Sequence, residues 1–314
     1  MVAPGMRAMT YSRYGDNSVL EMTDLPRPKV GPGQVLIRIR RSSVNPVDWK
    51  VMSGGLDAMM DAHFPVVPGW DVAGVVEEVG PDTPEFSPGQ RVAAYARKMV
   101  VSGGTFAEYV TVPAEFAALI PEAVTDDVAG ALPLTGLTAR RSLDALAPTA
   151  DDTVLIHAAS GGVGYLACQL AVATGARVLG TASEANFPKL EALGVVPVRY
   201  GEELLERVRE LAPDGVQAVA DFSGAEGVLE TTLAVLRDGG RHVSIADPAV
   251  EDHGGRWLWV RPDGDGLADL LARVERAELT LDIDRVLPLA EVAEGFRLSQ
   301  SGEARGKIVI DVER

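Results

Sequence analysis

Hydrophobic and polar positions follow two different patterns along the chain. In the first ~120 residues, short apolar runs such as 35–39, 72–79 and 91–95 are separated by turns rich in proline and glycine. This pattern predicts a small antiparallel barrel or sandwich. Beyond residue 121, continuous apolar strands alternate with helical spacing, which predicts a parallel sheet covered by helices on both faces.

The alternation in the second part is regular enough to place individual elements. After a helix over 125–146, we predict strands at 153–157, 177–181, 195–200, 216–221 and 242–246, and helices at 163–174, 185–193, 202–211 and 226–236. A strand at 257–260, a helix at 267–276, a helix at 292–298 and a strand at 307–312 follow, and we expect this tail to return to the first domain. The predicted fold class is therefore α/β, a doubly wound Rossmann sheet combined with a mainly β domain.

Composition and charge exclude several classes of function. The chain of 314 residues carries 29 basic against 45 acidic side chains, a net charge of −16, which disfavours nucleic acid and anionic lipid as partners. Its one cysteine, Cys168, excludes a disulfide framework and a zinc site built from several thiolates. No apolar stretch approaches the ~18 residues of a membrane span, and the first residues lack a signal-peptide core. We expect a cytoplasmic enzyme.

The strongest chemical signal is a glycine-rich segment between a predicted strand and a predicted helix. Its backbone can turn tightly and approach a pyrophosphate, and the following helix N-terminus supplies free N–H groups. The alternative is a plain tight turn, which the flanking strand, helix and later βα units disfavour. The segment predicts a dinucleotide-binding loop formed by Ser160, Gly161, Gly162, Val163 and Gly164.

At these residues the chain resembles a known family. The glycine segment through Thr181 is similar to the nucleotide loop of the medium-chain dehydrogenase/reductase superfamily, in the zinc-independent quinone oxidoreductase branch that includes zeta-crystallin-like proteins. The resemblance covers nearly the whole chain and includes residues 45–50, 68–74, 104–109, 136–139 and 305–307. It implies a GroES-like barrel domain of residues 1–120 and 278–314, and a Rossmann nucleotide-binding domain of residues 121–277.

The resemblance also tests whether the chain can hold a catalytic zinc. Where zinc dehydrogenases of the superfamily place a cysteine and a histidine, this chain has Asn45 and Trp70. An amide and an indole do not replace thiolate and imidazole at zinc. We therefore expect no metal.

Cofactor choice depends on the end of the second Rossmann strand. NAD enzymes carry an acid there, but the alignment with the family places Ala182 at this position. The family implies that Ser183 and Tyr200 contact a 2′-phosphate, and Lys189 is a candidate counter-ion. NADPH is the expected cofactor, although Glu184 adds negative charge nearby.

The remaining candidate site residues come from the family and from strand ends. Asn45, Asp48 and Lys50 share one polar loop and are the candidate catalytic residues, with Asn45 implied to lie near the nicotinamide. Ligands bind at the carboxyl ends of parallel strands. Further candidate cofactor contacts are Thr138, Phe222, Ser223, Ser244, Ala246, Arg305 and Lys307.

The expected function is NADPH-dependent reduction of quinones or α,β-unsaturated carbonyls by hydride transfer. An enoyl-thioester reductase and a non-catalytic NADPH-binding sensor or structural protein remain alternatives. Residues 256–260 resemble the family's last Rossmann strand, which implies a homodimer paired through that edge. The sequence does not identify the physiological acceptor.

Overall fold

The computed structural model describes residues 5–314, which form two compact units. The first unit comprises residues up to Leu137 together with Arg261–Arg314, and the second comprises Thr138–Val260. The first part of the chain contains β1 (Gly5–Thr10), β2 (Glu21–Pro26), β3 (Gln34–Val44), α1 (Pro46–Met52), β4 (Ala62–Val67), β5 (Asp71–Val79), β6 (Arg91–Tyr95), β7 (Val101–Gly103), β8 (Tyr109–Pro113), β9 (Ala117–Leu119), α2 (Asp126–Ala131) and α3 (Pro133–Leu146).

The second unit alternates strands with helices. Its elements are β10 (Thr153–His157), α4 (Gly162–Ala173), β11 (Arg177–Ala182), α5 (Phe187–Glu191), β12 (Val196–Arg199), α6 (Leu204–Leu211), β13 (Val216–Asp221), α7 (Val228–Val235), β14 (Leu236–Ser244) and β15 (Arg256–Trp257). The chain then returns to the first unit with α8 (Gly264–Glu275), β16 (Ile283–Pro288), α9 (Val292–Ser301) and β17 (Lys307–Asp311).

The first unit is built on a seven-stranded sheet in which β3 is central. The order along the sheet is β16-β17-β3-β5-β6-β9, and β8 also pairs with β3. Apart from the parallel pair of β16 with β17, the pairings are antiparallel. Because β17 pairs with β3, the C-terminal tail lies beside the strand that leads into the predicted catalytic loop.

The second unit contains a fully parallel six-stranded sheet. Its order is β12-β11-β10-β13-β14-β15. Successive strands are added on one side of β10 up to β12 and then on its other side from β13, so the strand order reverses between β10 and β13. Leu155, Leu179 and Val219 are fully buried in one core cluster against helix residues such as Val208. The continuous apolar runs predicted this arrangement, since strands covered on both faces have no polar side.

One predicted helix differs from the sequence-based expectation. The helix predicted over 125–146 is two helices, because Pro133 lacks the N–H that would continue α2 and instead begins α3. The two units divide at Leu137 and Arg261, and Gly264, at the start of α8, packs against the Ala117 carbonyl of the first unit. The domain bounds that the resemblance implies, residues 120 and 278, stay a prediction.

Among residues 5–314, no helix is both long and apolar enough to cross a membrane.

Candidate active site

A buried polar network lies where β3, α1, β5 and β17 meet in the first unit. Asn45 follows β3 directly and has an extended backbone, and Pro46 begins α1. Asp48, at the third position of this helix, accepts a hydrogen bond from the Asn45 backbone N–H through Oδ2 at 2.8 Å. Proline at the helix start and a carboxylate in the first turn both favour a helix that begins here.

The Asn45 side chain is held from both ends of its amide. Nδ2 donates to Asp71 Oδ2 at 2.7 Å, and Oδ1 accepts from Lys307 Nζ at 2.6 Å. The residue is 1% exposed. These two contacts fix which end of the amide faces each neighbour.

Asp71 lies at the centre of the network. Its carboxylate accepts hydrogen bonds from Ser43 Oγ at 2.7 Å and from the Leu134 N–H at 2.7 Å, in addition to the bond from Asn45. Burial raises the pKa of the Asp71 carboxyl, while the nearby Lys307 ammonium and the donated hydrogen bonds oppose that shift.

Lys307 brings a buried positive charge from the far end of the chain. Its ammonium donates to the Val44 carbonyl at 3.2 Å and lies 3.8 Å from Asp71 Oδ2. Burial lowers the pKa of Lys307, and the charges of Asp71 and Asp48 oppose that change. The ion pair of Lys307 and Asp71 is therefore the electrostatic centre of the first unit's site.

Asp48 is a second buried carboxyl of the network. Burial raises its pKa from 3.8 to about 8; the hydrogen bond from Asn45 and the Lys307 charge act against the shift, and the Asp71 charge adds to it. Oδ1 of Asp48 has no hydrogen-bond partner within residues 5–314. At neutral pH the network therefore holds a proton on a buried carboxyl whose second oxygen is not engaged.

This proton predicts a pH-dependent stability. The folded protein keeps the proton up to about pH 8, whereas an unfolded chain releases it near 3.8. The free energy of unfolding should therefore fall as the pH rises between these values, by at most ~1.4 kcal/mol per pH unit. Asp48→Asn, which resembles the protonated carboxyl in shape, should flatten this dependence.

Urea unfolding from about pH 5 to about pH 8 checks the prediction. Asp24→Asn, at an exposed position of the same unit, is the control and should keep the wild-type slope. An unchanged slope in Asp48→Asn would show that Asp48 does not hold the proton.

The glycine loop of the second unit joins β10 to α4. Gly161 precedes the helix, and no side chain caps it. A Cβ on Gly164 would lie 2.2 Å from the Ala158 carbonyl oxygen, so the first turn of α4 packs directly on the loop. This close packing and the uncapped N–H groups form a cradle that fits a dinucleotide pyrophosphate.

Thr181, near the end of β11, holds the glycine loop in place. The Ala158 N–H donates to Thr181 Oγ1 at 3.0 Å, and the Ala159 N–H donates to the Thr181 carbonyl at 2.9 Å. Ala158 itself adopts φ of 55°, a left-handed conformation that costs energy outside glycine. The loop is therefore anchored to the end of β11.

Asp221 organises the loops that follow β13 and β14. Its carboxylate accepts from the backbone N–H groups of Ser223 and Gly224 at 2.8 and 3.1 Å, and from Ser244 Oγ at 2.8 Å. The Ser244 hydroxyl in turn accepts from the Ala246 N–H at 3.1 Å. The predicted contacts Ser223, Ser244 and Ala246 thus form one connected group at the carboxyl ends of two strands.

His157 ends β10 beside Asp221 and is buried. Burial lowers its pKa to about 4, against the attraction of the Asp221 charge. His157 is therefore neutral at physiological pH and packs within the unit.

The structure brings some predicted site residues together and separates others. Asn45, Asp48 and Lys307 share the buried network, whereas Lys50 and Arg305 are exposed on the first unit. Lys189 lies with Nζ 3.9 Å from the centre of the Tyr165 ring on α4. Ser183, Tyr200, Phe222 and Thr138 all belong to the second unit, and Thr138 is buried within α3.

Sequence reasoning did not identify Asp71 and Asp221 as site residues. Both are buried carboxylates at a strand end, and each accepts at least three hydrogen bonds. An acidic residue at the first or last position of an apolar strand was the available signal, because such a buried carboxylate needs partners.

The positions at which zinc dehydrogenases of the superfamily place a cysteine and a histidine contain residues unsuited to a metal. Trp70 is buried with its ring edge-on to Tyr95, at 6.2 Å between ring centres. Residues 5–314 contain no cluster of three or more His, Cys, Asp or Glu side chains that could hold a metal ion.

Family models match two parts of the chain. Residues 31–122 match the alcohol dehydrogenase GroES-like domain, and residues 190–310 match the zinc-binding dehydrogenase family.

Known proteins resemble nearly the whole chain. A chloroplastic quinone oxidoreductase of Triphysaria versicolor is 35% identical over 98% of this chain and 98% of its own length. The chloroplastic NADPH-dependent alkenal/one oxidoreductase of Arabidopsis thaliana is 32% identical over 97% of this chain and 79% of its own length. The solved quinone oxidoreductase of Coxiella burnetii superposes with a TM-score of 0.88 at 29% identity, over 98% of this chain and 100% of that one.

These matches confirm the predicted resemblance and the predicted fold class. The GroES-like family model matches residues that form strands of the first unit. The second unit, with its parallel sheet and glycine loop, is the Rossmann domain. The chain belongs to the medium-chain dehydrogenase/reductase superfamily, among the quinone and alkenal/one oxidoreductases.

Proposed function

We propose that the protein is an NADPH-dependent reductase of quinones or α,β-unsaturated carbonyls that works without a metal. The observation that carries the proposal is the cradle between β10 and α4, in which Gly164 packs on Ala158 and no side chain caps the helix. The relatives' names, quinone oxidoreductase and NADPH-dependent alkenal/one oxidoreductase, supply the substrate class and the cofactor.

The second unit supplies the residues that would hold the cofactor. The N–H groups at the start of α4 suit the pyrophosphate, and the loops fixed by Asp221 lie at strand ends where ligands bind in such sheets. Ala182 leaves no carboxylate at the position that would select the ribose hydroxyl of NADH. When bound, NADPH supplies the hydride.

The first unit supplies a fixed polar network. Adding a hydride to a conjugated acceptor leaves negative charge on its oxygen, which a nearby donor stabilises and a proton neutralises. Asp48 holds a proton on a buried carboxyl, and Lys307 with Asp71 fixes the Asn45 amide. We propose Asn45 and Asp48 as the residues of this unit that act in turnover, with Lys50 as an exposed cation on the same helix.

A catalytic zinc does not fit these residues. The position of its cysteine ligand is filled by Asn45, whose amide is already engaged at both ends, and the position of its histidine ligand is filled by the buried Trp70. Neither side chain binds zinc in catalytic sites. Purified protein should contain no stoichiometric zinc by elemental analysis; stoichiometric zinc that is required for activity would contradict the proposal.

A panel of acceptors tests the proposed function and its alternatives. NADPH consumption should be fast with quinones and enones, and slow with enoyl thioesters. Fast turnover restricted to enoyl thioesters would favour a thioester reductase. Tight NADPH binding without turnover of any acceptor would favour a sensor or structural role.

Two further expectations stay predictions. The homodimer is consistent with the position of β15 at the edge of the parallel sheet, where it leaves one side of the strand for a second copy. The cytoplasmic location rests on composition alone.

A further inference from the structure

Two strands of the second unit end side by side at the edge where a ribose phosphate would bind. The last residue of β11, Ala182, is paired in register with the last residue of β12, Arg199. Ser183 and Tyr200 follow directly. The side chains after these two strands therefore lie at one edge of the sheet, although 15 residues or more separate them in sequence.

Ser183 and Tyr200 both present hydroxyl groups at this edge. Ser183 Oγ accepts a hydrogen bond from Asn186 Nδ2 at 3.0 Å, and its own hydroxyl hydrogen remains to be donated to a ligand. Tyr200 is 58% exposed. Two hydroxyl donors alone suit an anion but supply no positive charge.

Arg199 provides the charge that the sequence pattern does not reveal. Its Nη1 lies 3.4 Å from Glu184 Oε1, and the two side chains are 62% and 69% exposed. An exposed pair with this separation is held weakly. A guanidinium carries five N–H donors in a fork that matches a phosphate, so Arg199 can turn to a doubly charged phosphate in place of one carboxylate.

The backbone around Arg199 is fixed even though its side chain is exposed. Arg207, on α6, donates to the Arg199 carbonyl at 3.3 Å and to the Glu202 carbonyl at 2.6 Å. The strand end therefore keeps its position while the guanidinium can exchange partners.

Glu184 acts in the opposite direction. In dinucleotide folds an acid at the end of the second strand binds the ribose 2′-hydroxyl, and an arginine nearby accommodates a 2′-phosphate. This chain carries both, with the acid two positions beyond Ala182. The carboxylate competes for Arg199 and repels a phosphate.

We propose that Arg199 recognises the 2′-phosphate of NADPH and that Glu184 competes with the phosphate for this arginine, which limits the preference for NADPH over NADH. The proposal deepens the proposed function, on which it rests, by naming the pair of residues that sets cofactor selectivity.

Calorimetric titration with 2′,5′-ADP and with 5′-ADP tests the proposal without turnover, since neither ligand contains nicotinamide. Arg199→Ala should weaken 2′,5′-ADP and NADPH binding by ~10- to 100-fold, the loss expected for charge-assisted hydrogen bonds. Binding of 5′-ADP and NADH should stay within about twofold. Glu184→Gln should strengthen 2′,5′-ADP binding at least ~3-fold, and Arg199→Lys should restore part of the lost affinity.

Arg177→Ala is the matched control. Arg177 begins the same strand that Ala182 ends, and its guanidinium contacts the Leu211 carbonyl. This variant makes the same change in net charge at the opposite end of β11, so its affinity for 2′,5′-ADP should equal that of the wild type. Thermal unfolding of each variant establishes that it folds.

The outcomes separate this proposal from the proposed function. An unchanged ratio of NADPH to NADH affinity in Arg199→Ala overturns the role of Arg199, even if the wild type reduces quinones. Arg199-dependent binding of 2′,5′-ADP without turnover of any acceptor supports the role of Arg199 and overturns the reductase. Failure of the wild type to bind either nucleotide overturns both.

Discussion

Lys307→Met should destabilise the first unit by ~3–5 kcal/mol, because it leaves the Asp71 carboxylate buried without its positive partner. The substitution removes the 3.8 Å ion pair with Asp71 and the hydrogen bonds that Nζ donates to Asn45 and to the Val44 carbonyl. The midpoint of thermal unfolding should fall by on the order of 10 °C.

Two further variants test whether the buried charge is the cause. Lys50→Met removes the same charge at an exposed position on α1 and should change the free energy of unfolding by less than ~0.5 kcal/mol. Adding Asp71→Asn to Lys307→Met should recover part of the lost stability, since the double variant buries no unpaired charge. If Lys307→Met were as stable as the wild type, the network would not be an electrostatic centre.

Gly164→Ala should lower nucleotide affinity at least ~10-fold while the sheet of the second unit remains folded. The added methyl group would lie 2.2 Å from the Ala158 carbonyl oxygen and 2.9 Å from Ala159 Cα, and both neighbours are backbone atoms. The loop must therefore move, and its N–H groups lose the arrangement that suits a pyrophosphate. Titration with NADPH measures the affinity, and thermal unfolding establishes that the variant folds.

Gly161→Ala is the matched variant in the same loop. Its Cβ would lie 3.3 Å from the Ala158 carbonyl oxygen, and Gly161 has φ of −74°, which any L-residue adopts. The effect on NADPH affinity should be smaller than that of Gly164→Ala. Equal losses in the two variants would show that the contact with Ala158 is not what makes Gly164 necessary.

Much of the fold follows from local patterns. Apolar runs that alternate with segments of helical spacing predicted a parallel sheet. The glycine loop predicted where one of the helices that pack on this sheet begins. The hydrophobic period continues across Pro133, so the pattern predicted one helix. The structure has two helices there, because proline lacks the N–H that would continue the first.

The buried network was harder to predict because its contacts are distant in sequence. Lys307 reaches Asn45 across 262 residues, through the pairing of β17 with β3. The structure shows the Lys307 ammonium donating hydrogen bonds to Asn45 Oδ1 and to the Val44 carbonyl. The cofactor contact that the resemblance implies for Lys307 stays a prediction. Strand register decides such neighbours, and it depends on the whole sheet.

Arg199 was not predicted as a site residue for the same reason. A search near the end of β11 finds Ser183, Glu184 and no arginine, because the guanidinium comes from the next strand in the sheet. Arg199 comes next to the end of β11 only through the pairing of β11 with β12, in which Ala182 and Arg199 are partners. The direct role of Asn45 and Asp48 in turnover remains a prediction.

The most direct test of the central claim is the initial rate of NADPH oxidation by chelator-treated protein with an enone or a quinone as the acceptor. The expected result is undiminished turnover, with one equivalent of reduced acceptor formed for each NADPH consumed. Absence of turnover with both acceptors, together with efficient oxidation of a simple alcohol that depends on added zinc, would contradict it.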